Sequence, residues 1–233
     1  MSYRNTLIVF ALVCGAALLL PEAASAQAPQ ANAPHPMAMN GPRDQRIQLH
    51  DAMRRLWEDH VTYTRLFIVS DVGNLPDKEA TTKRLLKNQQ DLGNAIKPYY
   101  GEQAGTQLAG LLIDHIVIAS KLVDAAKAHE GVMVADLTNR WFANADNIAT
   151  FLSKANPDSW PITATQQMMH DHLDLTLQEA TNQVQGKYAD SMAAYDKIVD
   201  QATMMADTLS SGIIKQFPDR FGERRAATES PAR

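Results

Sequence analysis

Apolar residues recur at helical spacing along most of this chain, and each apolar run is interrupted once by a polar side chain. Between Leu49 and Phe67 the stripe steps by four and three residues, with His60 in the middle of the run. Steps of that size place the residues on one face of an α-helix. Because an apolar helical face must pack against a partner, this pattern predicts an assembly of helices around a shared core.

Six such runs are separated by short segments rich in proline or glycine. The separating segments are "NLPDKE", "KPYYGEQAG", "HEGV", "NPDSWP" and "QGKY", and the runs between them are rich in the helix formers Ala, Leu, Gln, Lys and Met. The sequence therefore predicts an all-α domain over residues 45–216. Its six helices are expected at 45–72, 78–97, 102–128, 134–154, 162–184 and 188–215.

The polar interruptions repeat along the chain. Histidines interrupt the first, third and fifth helices, at His60, His115 and His172. Amides interrupt the other helices, at Asn88, Asn144 and Gln201. The histidines lie 55 and 57 residues apart and the amides 56 and 57, which indicates a threefold repeat of a helical hairpin. Each polar residue lies at a similar distance from its turn, so the sequence predicts an up-and-down bundle of six helices with one polar layer across its middle.

The two ends of the chain lack this pattern. Residues 1–26 are typical of a secretory signal peptide, because Arg4 precedes the apolar run "TLIVFALVCGAALLL" and "ASA" ends at Ala26. Residues 27–44, rich in Ala, Pro, Gln and Asn, are expected to form a flexible linker, and residues 217–233 a disordered tail. These features predict a periplasmic or secreted protein whose mature chain has no transmembrane segment.

Composition argues against several classes of site. The single cysteine, Cys14, lies within the predicted signal peptide, so the mature chain is expected to contain no disulfide, thiolate metal site or cysteine nucleophile. The net charge is −4, with 22 basic and 26 acidic residues and no basic stripe, which argues against nucleic acid as a partner. The sequence also lacks a nucleophile elbow, a Gly-rich phosphate loop and an H-E-x-x-H motif, so an enzyme is the least favoured interpretation.

Several parts of the chain resemble a group of exported bacterial all-helical proteins. These parts are "LWEDH", "TTKRLL" with "NAIKP", and "GIIKQFP", and the resemblance extends over residues from about 50 to 216. It implies a secreted helical fold and carries no activity with it. The short run "MMHDH" is more loosely similar to Met/His clusters in periplasmic helical metal-binding proteins.

The histidine layer predicts a metal site. Neutral imidazole is a ligand for zinc, copper, iron and nickel, and three histidines with an open fourth position suit zinc or copper. The candidate ligands are His60, His115 and His172. The aspartate before each histidine is expected either to orient an imidazole or to pair with a basic residue such as Arg84 or Arg140. These aspartates are Asp59, Asp114 and Asp171.

Other side chains are alternative ligands or supports for this site. The layer amides Asn88, Asn144 and Gln201 belong to this group. Met168, one turn before His172, and Met205, one turn after Gln201, are expected at one level of neighbouring helices. Since a thioether beside imidazole suits copper(I), these methionines favour copper.

Two other functions explain the same polar layer. Polar residues in a bundle core often set the register of the helices, which would make the protein a non-catalytic scaffold or interaction bundle. Alternatively, the imidazoles and amides bind a small anion together with Arg84 and Arg140. Lowering the pH distinguishes the metal site from the anion site. Protonated histidines release a metal ion, whereas they bind an anion more strongly.

Overall fold

Helices form nearly all of the structure, as the sequence predicts. This computed structural model describes the backbone of residues 42–222 and the side chains of residues 45–222. Within that range there are five α-helices, one 3-10 helix and no β-strand. The elements are α1 (Pro42–Val72), α2 (Lys78–Lys127), α3 (Gly131–Ala155), α4 (Ile162–Val184), α5 (Tyr188–Gln216) and the 3-10 helix Pro218–Phe221. No helix among these residues is both long enough and apolar enough to cross a membrane.

A backbone break divides α2. Gly101, in the middle of this element, has φ 87° and ψ 168°, which are not helical values. Glycine adopts this positive φ readily because it has no Cβ atom. The helices expected at 78–97 and 102–128 are therefore one element, since a single residue replaces the loop expected between them.

The two halves of α2, residues 78–100 and 102–127, contact each other. A Cβ atom built on Gly93 would overlap the carbonyl oxygen of Gly105 and would lie 2.7 Å from the Cβ atom of Ala109. Glycine permits this close approach of two backbones. Gly93 and Ala109 lie at matched distances before and after Gly101, so the chain reverses its direction at that glycine.

Each helix packs against its neighbours in the chain, and the last helix closes on the first. α1 packs on α2 and α5, α2 on α3, α3 on α4, and α4 on α5. The main buried cluster between these helices includes Met53, Trp57, Trp141, Ile148 and Leu173. A smaller cluster consists of Phe67, Ile68, Leu85, Ile116 and Val123. Full burial of a side chain of this size contributes about 1.5–3 kcal/mol through the hydrophobic effect.

The boundaries of the domain differ from the predicted ones at both ends. α1 begins at Pro42, inside the predicted linker 27–44. Phe221 is buried and its ring stacks on that of Tyr99, with centroids 5.9 Å apart, so residues 217–222 belong to the fold rather than to a tail. The predicted signal peptide and the remainder of the predicted tail lie outside the described residues.

Candidate functional site

The three histidines that interrupt the apolar stripes line one internal cavity. His60, His115 and His172, here called the layer histidines, are each at most 4 % exposed. They come from α1, from the second half of α2 and from α4, and all three contribute to the wall of the same cavity. The ring centroids of His60 and His172 lie 5.7 Å apart. The apolar faces of these helices therefore place all three imidazoles in the wall of one cavity.

Asn144 determines the tautomer of His115. The Oδ1 atom of Asn144 lies 2.8 Å from the Nδ1 atom of His115, and its Nδ2 atom donates to the carbonyl oxygen of Leu111 at 3.1 Å. A carbonyl oxygen only accepts hydrogen bonds, so the amide must direct its nitrogen to Leu111 and its oxygen to the imidazole. The Nδ1 atom of His115 consequently carries the proton, and its Nε2 atom keeps a free lone pair.

His172 has the same arrangement with Gln201. The Oε1 atom of Gln201 lies 3.0 Å from the Nδ1 atom of His172, and its Nε2 atom donates to the carbonyl oxygen of Met168 at 2.9 Å. The histidine and its amide are 29 residues apart in both pairs. His172 is therefore also held with its proton on Nδ1 and its lone pair on Nε2.

His60 departs from this arrangement because it faces two amides. Asn88 donates to the carbonyl oxygen of Leu56 at 2.9 Å, which matches the amide contacts of the other two repeats. Nδ1 of His60, however, contacts Nε2 of Gln89 at 3.2 Å. Gln89 is fully buried and was not identified from the sequence, since it lies one position off the apolar stripe. Because an amide nitrogen only donates, this contact makes Nδ1 of His60 an acceptor and favours the tautomer with the proton on Nε2, unlike the other two rings.

Burial keeps the layer histidines uncharged. It lowers the pKa of His115 to about 3 and that of His172 to about 4, although the hydrogen bonds that these rings donate to Asn144 and Gln201 raise both pKa values. Burial also lowers the pKa of His60 well below its usual value, and the nearby imidazoles of His172 and His115 lower it further. At neutral pH all three rings are neutral, which is the form that binds metals.

The cavity beside the layer histidines is small and largely apolar. Its volume is about 70 Å³. Apart from the histidines, its lining residues lie between the layer and the end of the bundle that holds residues 72–78, 127–131 and 184–188. They include Phe67, Ile116, Val123, Val134, Leu177 and Val184. Trp141 also lines the cavity, and its buried indole N–H has no hydrogen-bond partner among the described residues.

The aspartates that precede the histidines do not orient the imidazoles. Asp59 accepts a hydrogen bond from Arg84 at 2.8 Å, which is one of the two roles expected for it. Asp114 and Asp171 are exposed, and Asp171 accepts a hydrogen bond from Gln167 at 2.7 Å. The expectation that an aspartate orients the imidazole of a neighbouring helix is corrected, because amide oxygens contact the Nδ1 atoms of His115 and His172. The amides of neighbouring helices take that role instead.

The arginines proposed for an anion site lie away from the cavity. Arg84 pairs with Asp59, and its guanidinium lies 4.3 Å from the centroid of the Tyr63 ring. Arg140 is exposed and lies 3.8 Å from Asp136 on the same helix. Neither arginine lines the cavity of the layer histidines. An anion in that cavity would therefore meet neutral imidazoles without a compensating positive charge.

The methionines proposed as copper ligands also lie outside this cavity. Met205 is buried in the main apolar cluster, and Met168 is partly buried against that cluster. The contribution of Met168 to the layer is its backbone carbonyl, which accepts from Gln201. Among residues 45–222, no three His, Cys, Asp or Glu side chains already lie close enough together to hold a metal ion.

Outside the layer, a buried ion pair joins α1 to α4 and α5. Glu179 is buried, and its Oε1 atom lies 2.9 Å from Nη1 of Arg65, which also donates to Ser191 at 2.6 Å. Burial raises the pKa of Glu179 to about 7, while Arg65 opposes that rise. Glu179 continues the stripe of His172, but the sequence did not identify Arg65 as its partner, because Arg65 lies 114 residues earlier.

No protein-family model, curated protein or solved structure matches this chain. Its function is therefore inferred from the layer histidines, their hydrogen bonds and their cavity.

Proposed function

We propose that the layer histidines bind one transition metal ion, zinc or copper, in a periplasmic or secreted helical bundle. The observation that carries this proposal is the pairing of His115 and His172 with amides that hold both protons on Nδ1. Each pairing leaves an Nε2 lone pair on a residue that lines the shared cavity. Metal-binding histidines commonly donate their other ring N–H to a hydrogen-bond acceptor in this way.

The separation of the His60 and His172 rings is close to that of two imidazoles bound to one ion. Metal–nitrogen distances of about 2 Å in a tetrahedral site would place two ring centroids roughly 5 Å apart. The centroids of His60 and His172 lie 5.7 Å apart. For a site of three histidines, His115, whose ring lies 5.0 Å from that of Trp141, would move toward this pair, and His60 would take the tautomer with a free Nε2 lone pair. The fourth position would then be open to the cavity.

We also propose that the bundle consists of three helical hairpins made of six helical segments. In this description α1 pairs with the first half of α2, the second half of α2 with α3, and α4 with α5. The contacts of the layer support it, since a histidine lies 29 residues before an amide that contacts it in every hairpin. In the second and third hairpins the same amide also donates to a carbonyl oxygen 33 residues earlier. In the first hairpin the two contacts are divided, since Gln89 contacts His60 and the adjacent Asn88 donates to the carbonyl oxygen of Leu56.

A scaffold or interaction bundle is the second candidate. One observation favours it, namely that the amides of the layer donate to backbone carbonyls of the neighbouring helix without any ligand. Such contacts would fix the register of the helices. Under this alternative the unpaired Nε2 atoms have no role beyond packing, and the wild-type protein takes up no metal.

The test is metal analysis of the full chain purified from the periplasm, followed by removal of metal with a chelator and titration with Zn²⁺, Co²⁺ and Cu⁺. His60→Ala, His115→Ala and His172→Ala should each abolish stoichiometric binding while helical content is retained. Matched controls are His50→Ala and His170→Ala, because these histidines pair with Ser210 and Asp146 outside the layer. A folded wild type without metal uptake would overturn the proposal, as would equal binding by the layer and control variants.

The pH at which the protein releases its metal provides a second test. An exposed histidine protonates near pH 6.5, so a surface site would release its metal there. Burial lowers the pKa of His115 to about 3 and that of His172 to about 4, so the layer should retain its metal at about pH 5.5. Release of the metal already at about pH 6.5 would place it on other histidines.

A further inference from the structure

We propose that the apolar space next to the layer histidines is a binding site for a small uncharged molecule. This space, here called the shaft, extends from the layer toward the end of the bundle that holds residues 127–131 and 184–188. The proposal depends on the walls and size of the shaft, and it does not require a metal in the layer.

The walls of the shaft favour an uncharged guest. Most lining residues are aliphatic or aromatic, and those nearest the end of the bundle are Ala126, Val134, Ala180, Thr181 and Val184. The hydroxyls of Thr64 and Thr176 donate to the carbonyl oxygens of His60 and His172, both at 2.8 Å, so they are already satisfied. A charged solute would lose its hydration here without replacement, which is strongly unfavourable.

The size of the shaft limits the guest. An apolar cavity of about 150 Å³ takes up benzene or xenon. The shaft has a volume of about 70 Å³, so its guest must be smaller than benzene unless the alanine-lined walls move apart. This restricts the ligand class to poorly hydrated molecules of a few non-hydrogen atoms.

Apolar side chains are exposed at the same end of the bundle as the outer part of the shaft. Val132 is 89 % exposed at the start of α3, and Tyr188 is 62 % exposed at the start of α5. Leu75, between α1 and α2, is also exposed at this end. A poorly hydrated molecule would find there an apolar approach to Val134 and Val184 in the wall of the shaft. The guest that enters would reach the unpaired Nε2 atoms of His115 and His172.

Xenon is a suitable probe because it is uncharged and detects apolar cavities irrespective of their natural ligand. We would measure the ¹²⁹Xe chemical shift against protein concentration with the full chain after removal of metal. The wild type should show a saturable shift. Ala180→Leu should abolish it by filling the shaft, whereas Ala193→Leu, an exposed site on α5, should leave it unchanged.

A second variant and a second cavity make the outcome decisive. Ala126→Leu also fills the shaft and replaces Ala180→Leu if that variant fails to fold. A smaller void of about 30 Å³ lies between Trp57 and Trp160 in the main core, without histidine in its wall. A xenon shift that survives both filling variants belongs to that void or to the surface and overturns the proposal. Absence of a specific shift in the wild type overturns it as well.

Discussion

The Oδ1 atom of Asn144 accepts the Nδ1 proton of His115 at 2.8 Å, while its Nδ2 atom donates to the carbonyl oxygen of Leu111. One amide thus spans two helices and determines which nitrogen of a buried imidazole keeps its lone pair. Gln201 does the same for His172. The same contact joins two helices and leaves the Nε2 lone pair of the imidazole available, so its effect on stability can be measured apart from the proposed metal site.

Asn144→Leu should destabilise the protein. It leaves Nδ1 of His115 and the carbonyl oxygen of Leu111 without this partner, and a buried polar group left unsatisfied costs about 1–3 kcal/mol. Urea denaturation measures the loss in the free energy of unfolding. The control is Asn147→Leu, three residues along the same helix and exposed, which should change stability by about 0.5 kcal/mol or less. Equal stability of the two variants would contradict this account.

The layer histidines should make the bundle less stable in acid. Burial lowers their pKa values in the folded state, to about 3 for His115 and about 4 for His172. As the pH falls from about 6.5 toward 4, the unfolded chain binds protons that the folded layer excludes, so stability falls by up to about 1.4 kcal/mol per pH unit for each histidine.

His115→Leu measures the contribution of one ring. Free energies of unfolding at pH 7, 6 and 5 should decline less steeply for this variant than for the wild type, because one acid-sensitive group is gone. His129→Leu, at an exposed turn, is the control and should keep the wild-type slope. Parallel pH profiles for all three proteins would show that His115 is not held neutral by burial.

The contribution of Glu179 to stability should depend on pH in the opposite sense to that of the layer histidines. Burial raises its pKa to about 7 in the folded state, so the folded protein binds an extra proton between about pH 4.5 and 7. The stability that this protonation provides is present below pH 4.5 and is lost as the pH rises through about 7. Relative to Glu179→Gln, the wild type should therefore be favoured more at pH 5 than at pH 8. Glu58→Gln, at an exposed site on α1, is the control and should show no such change. If the stability of the wild type relative to Glu179→Gln increased with pH, the raised pKa of Glu179 would be contradicted.

Asp71→Asn should be among the most destabilising charge changes. Asp71 is fully buried, and its Oδ1 atom lies 2.9 Å from Nζ of Lys78 and 2.7 Å from Nζ of Lys127. Removing one partner of a buried ion pair costs about 3–5 kcal/mol. Asp124→Asn is the control, because this exposed carboxylate also pairs with Lys78 and should cost about 1 kcal/mol or less. Thermal denaturation that ranks Asp124→Asn as the worse variant would refute the prediction.

Gly93→Ala should disrupt the contact between the two halves of α2. Its new Cβ atom would overlap the carbonyl oxygen of Gly105, and relieving such overpacking typically costs about 1–3 kcal/mol. Gly110→Ala is the matched control in the same element, since no atom outside its own turns of helix lies within 4 Å of its Cβ position. That variant should be neutral or more stable by up to about 1 kcal/mol, because alanine favours helix. Equal melting temperatures for the two variants would mean that the halves of α2 separate easily.

The helices and the positions of the layer histidines were predictable from the sequence. Apolar residues at helical spacing specify which face of a segment is buried, whatever it packs against. The repeat of about 56 residues predicted that the polar interruptions recur in each third of the domain. The break at Gly101 was expected as a loop, because the sequence marks a turn there without revealing that one residue suffices to make it.

The partners of those histidines were not predictable, because they depend on how neighbouring helices are rotated and spaced. The rotation of about 100° between adjacent helical residues was expected to turn each aspartate toward a neighbouring helix, where it could orient an imidazole. The amides of the next helix reach the imidazoles instead. The packing of neighbouring helices also determines three other features that were not predicted. These are the contact of Gln89 with His60, the ion pair of Arg65 with Glu179, and the shaft. Periodicity along the chain by itself determined which residues turn inward. Only the packing of helices distant in sequence decided what they meet there, since hydrogen bonds and cavities depend on distances between helices that no single helix encodes.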